Sequence, residues 1–180
     1  MDEATRADLA AVHGQDRQGR YTAYLRLMAA TDAPVAWAYE VWDELLADLR
    51  HADNHVRAIA AQLLCNLAGS DPEQRMLRDL PALLRAARDV RFVTARHSLQ
   101  ALWKVGLAGE AQRRMLVDGL ACRFEECQLE KNCTLIRADI LVGLHRLYAA
   151  VGDEGLREKA LALIETESDL KARKKFARLW

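Results

Sequence analysis

Four arginines, Arg57, Arg96, Arg137 and Arg173, stand 39, 41 and 36 residues apart, and the residues around them agree in kind. One place before each stand Val56, Ala95, Ile136 and Ala172; three places after stand Ala60, Leu99, Ile140 and Phe176. Six places after come Leu63, Leu102, Gly143 and Leu179, and seven after come Leu64, Trp103, Leu144 and Trp180. Offsets of −1, +3, +6 and +7 lie on one side of an α-helix, so the same apolar stripe is used four times. A period of this kind means stacked supersecondary units, each burying its apolar face against the next.

Between these helices the apolar residues again recur at helical spacing, roughly over Pro34 to Leu49, Pro72 to Ala87, Glu110 to Leu129 and Glu154 to Glu165. No β-branched alternation is sustained, so the expected fold class is all-α. The breaks are short: Thr31, Asp32 and Pro34; Gly69 to Glu73; Gly106 and Gly109; Gly152 and Asp153. Ser70 with Glu73 fits a capping box ahead of the third pair, with Pro72 in the first turn. The unit is a helical hairpin, with boundaries near 34–68, 72–107, 110–150 and 154–180, preceded by a half repeat over 14–30.

A period near 40 with paired helices resembles the HEAT and armadillo class of repeats over almost the whole chain. The resemblance implies one domain over 1–180, a right-handed α-α superhelix of about four and a half hairpins. Pro81, inside the first helix of its hairpin, matches the kinking proline such repeats often carry. The resemblance also implies that the register arginines pair with acids of the connecting turns and tie neighbouring repeats together. Acids lie four or seven residues before each arginine, at Asp53, Asp89, Glu130 and Asp169. On this reading Arg57, Arg96, Arg137 and Arg173 form a structural ladder, and Trp103 and Trp180, in the slot of Leu64 and Leu144, are packing residues.

Catalytic signatures are missing. There is no G-x-S-x-G, H-E-x-x-H, P-loop or G-x-G-x-x-G, and no metal or cofactor is expected. Cys122 and Cys127 on one helix would point about 140° apart, a poor bite for a metal, and His51 and His55 straddle a turn. One enzyme family shares the architecture: the bacterial alkylpurine DNA glycosylases built from HEAT-like repeats. That resemblance implies Asp139, two residues from Arg137, as a catalytic carboxylate, although the aromatic partners depart from the family's pattern.

Charge is more informative. Lysine plus arginine and aspartate plus glutamate both number 26, so the total is zero. Over 14–30, 54–68, 92–107, 131–150 and 169–180, however, the net charges are +2, +1, +2, +2 and +4, leaving −11 elsewhere. If the second helices share the concave face, that face is basic and attracts phosphates or acidic protein segments. The candidate binding residues are His97, Lys104, Arg146, Lys171, Lys174, Lys175 and Arg178. The N-terminal segment MDEATRADLA lacks a basic flank and apolar stretch, and four cysteines are too few to frame the chain; both lead to an expected cytoplasmic location. The expected function is a non-catalytic binding or scaffold module for an acidic protein or nucleic acid, with the glycosylase and a purely structural adaptor as alternatives.

Overall fold

A computed structural model describes all 180 residues. Ten helices follow one another with no strand: α1 (Glu3–Val12), α2 (Arg17–Ala30), α3 (Ala38–Asp48), α4 (Asn54–Leu67), α5 (Arg75–Ala86), α6 (Phe92–Leu102), α7 (Glu110–Glu126), α8 (Cys133–Val151), α9 (Glu154–Glu165) and α10 (Leu170–Ala177). Short 3₁₀ turns extend α4, α6 and α7 at Ala68–Ser70, Trp103–Leu107 and Cys127–Leu129.

Each odd helix packs on the even helix that follows it, giving five antiparallel pairs. The even helices α2, α4, α6, α8 and α10 also touch in chain order, as do α5, α7 and α9. Contacts therefore run between neighbours in sequence, and one continuous core of 42 buried apolar residues extends from Leu9 to Phe176. At +3, Ala60, Leu99, Ile140 and Phe176 are all buried, as the repeated stripe requires.

The half repeat is in fact a full pair, because α1 precedes α2. Its sequence shows little apolar periodicity, and only Leu9 and Val12 enter the core. What fixes it is polar: Asp2 caps the helix by accepting from the Thr5 amide at 2.8 Å, and buried Asp8 receives the Arg26 guanidinium of α2, with Nε at 2.8 Å from Oδ2. Aspartate also caps α2, α4, α9 and α10 at Asp16, Asp53, Asp153 and Asp169, where it meets both orphan amides and the positive helix end.

The expected capping box does not form. Ser70 Oγ accepts from the Val35 amide at 2.9 Å, tying the turn to the preceding hairpin. Helix α5 starts later, at Arg75, because Gln74 adopts a left-handed conformation at φ 56° that resets the chain direction. Asp71 then caps it from outside, accepting from the amides of Arg75 at 2.9 Å and Met76 at 2.7 Å. Pro72 consequently lies before the helix, whereas Pro81 does sit inside it.

Trp103 and Trp180 are half-buried rather than sealed in the core like Leu64 and Leu144. Helix α6 ends at Leu102 and α10 at Ala177, so both tryptophans leave the helical stripe at the point where leucines in the longer helices keep it.

Candidate functional site

The register arginines form a connected series, with a partner rule that differs from the expected one. Arg57 reaches forward: Nε and Nη2 donate to the two Asp89 oxygens at 2.6 and 2.9 Å, while Nη1 binds the carbonyls of His51 and Ala52 in its own turn. Arg96 donates to both Asp139 oxygens at 2.7 and 3.0 Å. Arg137 binds the Phe124 carbonyl of its own hairpin at 3.0 Å and Glu167 of the next at 2.9 Å. Asp53 is held by Arg20 at 2.7 Å, and Arg20 also binds Gly14 O. Arg20 is thus a fifth register arginine: Ala23 and Leu27, three and seven places on, are buried like their counterparts.

The geometric reason is direct. Each arginine stands near the start of an even helix that packs on the next even helix; its acid lies just before that next helix at Asp53, Asp89 and Glu167, and inside it, in α8, at Asp139. Glu130 and Asp169 consequently do other work. Glu130 pairs with Arg123, and Asp169 caps α10. Arg173 turns back to Glu165 at 3.1 Å.

Asp139 is buried, and besides Arg96 it accepts from Gln100 Nε2 at 3.0 Å. Its two oxygens are therefore committed to a planar, bidentate contact between α6 and α8.

The series changes the meaning of the charge count. Of the 14 lysines and arginines in the five basic segments, seven are in ion pairs: Arg20, Arg26, Arg57, Arg96, Lys104, Arg137 and Arg173. Helices α4 and α6 are left with no unpaired cation. Within these segments the cations free of ion pairs are Arg17 and Lys131 at helix entries, Arg146 on α8, and Lys171, Lys174, Lys175 and Arg178 at the last helix; outside them Arg50, Arg85, Arg91 and Lys159 are also without one.

The last four stand at i, i+3, i+4 and i+7, so they share one side of α10 and its C-cap, and all are exposed. Ala172 and Phe176 bury the other side. Next to this stripe Trp180 meets the His145 ring edge-on at 5.1 Å and Tyr148 at 5.7 Å. The arrangement is a basic stripe with an aromatic cluster at one end.

The remaining candidates fall elsewhere. Exposed His97 lines an open groove of about 560 Å³ across α2, α4 and α6, facing Tyr21, Tyr24 and His55 over a floor of Ala58 and Ile59. Tyr24 donates to Gln62 at 3.0 Å, which in turn donates to the Ala58 carbonyl. Lys104 is half-buried in the 3₁₀ turn after α6, with Nζ 3.4 Å from Asp32. The structure thus assembles Lys171, Lys174, Lys175 and Arg178, and leaves His97, Lys104 and Arg146, exposed on α8, apart from them.

The groove was not anticipated, although a signal existed. With Arg20 in register, the position after each arginine reads Tyr21, Ala58, His97, Ala138 and Lys174. A small residue between two large ones in adjacent helices leaves a notch.

Comparison with protein-family models and with curated proteins finds no match for this chain. No helix is long and apolar enough to cross a membrane.

Proposed function

We propose that the chain is a HEAT/armadillo-like right-handed α-solenoid and acts as a non-catalytic binding module for an acidic ligand, received at the α8–α10 end. Support for the solenoid comes from helix contacts that run chiefly between neighbouring hairpins and from arginines that repeatedly join one hairpin to the next. Support for the binding role comes from one observation above all: four exposed cations without an ion pair, Lys171, Lys174, Lys175 and Arg178, share one side of α10 and its C-cap.

Four cations on one helix side suit a phosphate backbone or an acidic protein segment, which offer negative charge at short repeats. The aromatic group of Trp180, His145 and Tyr148 adds ring surface beside it, the combination that favours single-stranded nucleic acid through stacking. The groove near His97 has only Arg17 as an unpaired cation, so it is the weaker electrostatic site. Asp139 is fully engaged by Arg96 and Gln100, which weighs against the glycosylase reading.

The test is titration of a single-stranded oligonucleotide, a duplex and an acidic peptide against the protein at two salt concentrations. Binding at low salt that weakens at high salt supports the proposal, and the preferred ligand identifies the partner class. Absence of binding by all three at low salt overturns it in favour of a structural adaptor whose basic stripe merely solvates an open end. A combined Lys171→Gln, Lys174→Gln, Lys175→Gln and Arg178→Gln variant is expected to lose binding, and His97→Ala to retain it.

A further inference from the structure

Cys127 ends α7 in its 3₁₀ turn and Cys133 opens α8, and the reversal of the chain between them brings their sulfurs to 3.4 Å. We infer that Cys127 and Cys133 are a thiol pair that closes to an intrachain disulfide when the protein meets a peroxide. The residues between them, Gln128 to Asn132, form a short turn with Leu129 almost fully exposed, so the pair sits at the base of a surface loop. The sulfurs need to approach by little more than an ångström to reach bonding distance of about 2.05 Å.

The two cysteines differ in a way that assigns their roles. Cys133 is half-buried and reachable, whereas Cys127 is completely buried among Phe124 and the start of α8. The reachable Cys133 sulfur attacks one oxygen of hydrogen peroxide. The O–O bond breaks, the departing hydroxide leaves as water with the proton of the Cys133 thiol, and the sulfur becomes a sulfenic acid, oxidised by two electrons. The Cys127 sulfur then attacks the Cys133 sulfur; the S–S bond forms, the S–O bond breaks, and hydroxide leaves with the Cys127 proton as a second water.

Two surroundings favour this pair over Cys122, the most exposed cysteine. Cys122 donates its S–H to Glu126 at 3.0 Å, and the carboxylate holds that thiol in its protonated form, above its ordinary pKa. Cys127 is pushed up to about 12, chiefly by burial, so it waits as a neutral thiol until its neighbour has been oxidised. Cys65 is buried in α4, away from the pair, and burial likewise holds it up to about 12.

The experiment is treatment of the full chain with hydrogen peroxide, quenching with N-ethylmaleimide, and non-reducing mass spectrometry with peptide mapping. The expected result, with thiols counted after denaturation, is a monomer that has lost two of its four thiols, with a 127–133 cross-link that dithiothreitol reverses and that forms in Cys122→Ser as well. Dimedone is expected to label Cys133 in Cys127→Ser. Four intact thiols after treatment, or oxidation confined to Cys122, overturns the inference. Because the cross-link is read in the unsubstituted protein, a folding defect in either serine variant does not affect the test.

Discussion

Arg137 and Glu167 form the one rung of the arginine series that water does not reach, with relative side-chain exposures of 7% and 6%. Removing one member of a buried pair strands the other charge, which costs about 3–5 kcal/mol. Glu167→Ala is therefore expected to lower the unfolding free energy by that order in denaturant titration, and Glu167→Leu with Arg137→Met to recover most of it. Arg173 with Glu165 is the exposed counterpart, and Glu165→Ala is expected to cost less than about 1 kcal/mol in the same titration. Asp53 shows the pH side of the series. Burial acts to raise its pKa, but hydrogen bonds from the His55 amide and ring and from Arg20 outweigh it and bring it down to about 2. Asp89, bound by Arg57, and Asp8, bound by Arg26, are also lowered. A folded-state pKa below the unfolded value near 3.9 means the unfolded chain binds more protons as acid is added. The contribution of these groups is thus present above about pH 4 and is lost as pH falls toward 2; Asp48, raised by burial, acts in the opposite sense. Thermal melts between pH 5 and 2 are expected to show stability falling with acid, less steeply in Asp53→Asn. At this scale the arginines were legible as a series from their period, but their partners were not. Asp139 and Glu167 lie far from any arginine that holds them, 43 and 30 residues away, and only helix packing shows the reach.

Helix boundaries follow local chemistry more closely than apolar period. Gln74 is the only non-glycine residue with positive φ, and it sets the start of α5. A side chain in the left-handed region costs roughly 1–2 kcal/mol that glycine avoids. Gln74→Gly is expected to stabilise the protein by about 0.5–1 kcal/mol, after the entropy glycine loses, read as an upward shift of the urea midpoint at unchanged slope. Gly152 already occupies such a position at the end of α8, with φ 66° and its amide on the Tyr148 carbonyl at 2.8 Å. The long helices were visible because their apolar stripe repeats. Helix α1 was not, since its anchors are Asp2, Asp8 and two apolar residues, Leu9 and Val12. The thiol pair was equally hidden: an angle taken along a single helix describes Cys122 and Cys127, but Cys133 comes back to Cys127 only because the chain turns between α7 and α8.

For the molecule as a whole, the arginine series and the distribution of free charge are one phenomenon. In four rungs an acid of the following hairpin neutralises the arginine of the hairpin before, so Arg20, Arg57, Arg96 and Arg137 add no free charge to the surface. On α10 Arg173 pairs with Glu165 instead, and four exposed cations lie on one side of the helix and its C-cap. The charge count already put the last helix highest, at +4, but it could not show which cations of the other segments are answered by acids. The central claim is that this terminal stripe takes an acidic ligand, and the most direct measurement is the salt dependence of binding to a single-stranded oligonucleotide. Four released counterions give a slope of log affinity against log salt of about −3. The account expects that slope for the native chain, and near zero for the variant with Lys171, Lys174, Lys175 and Arg178 all changed to Gln. A native slope near zero, or an equally steep slope in the variant, contradicts it.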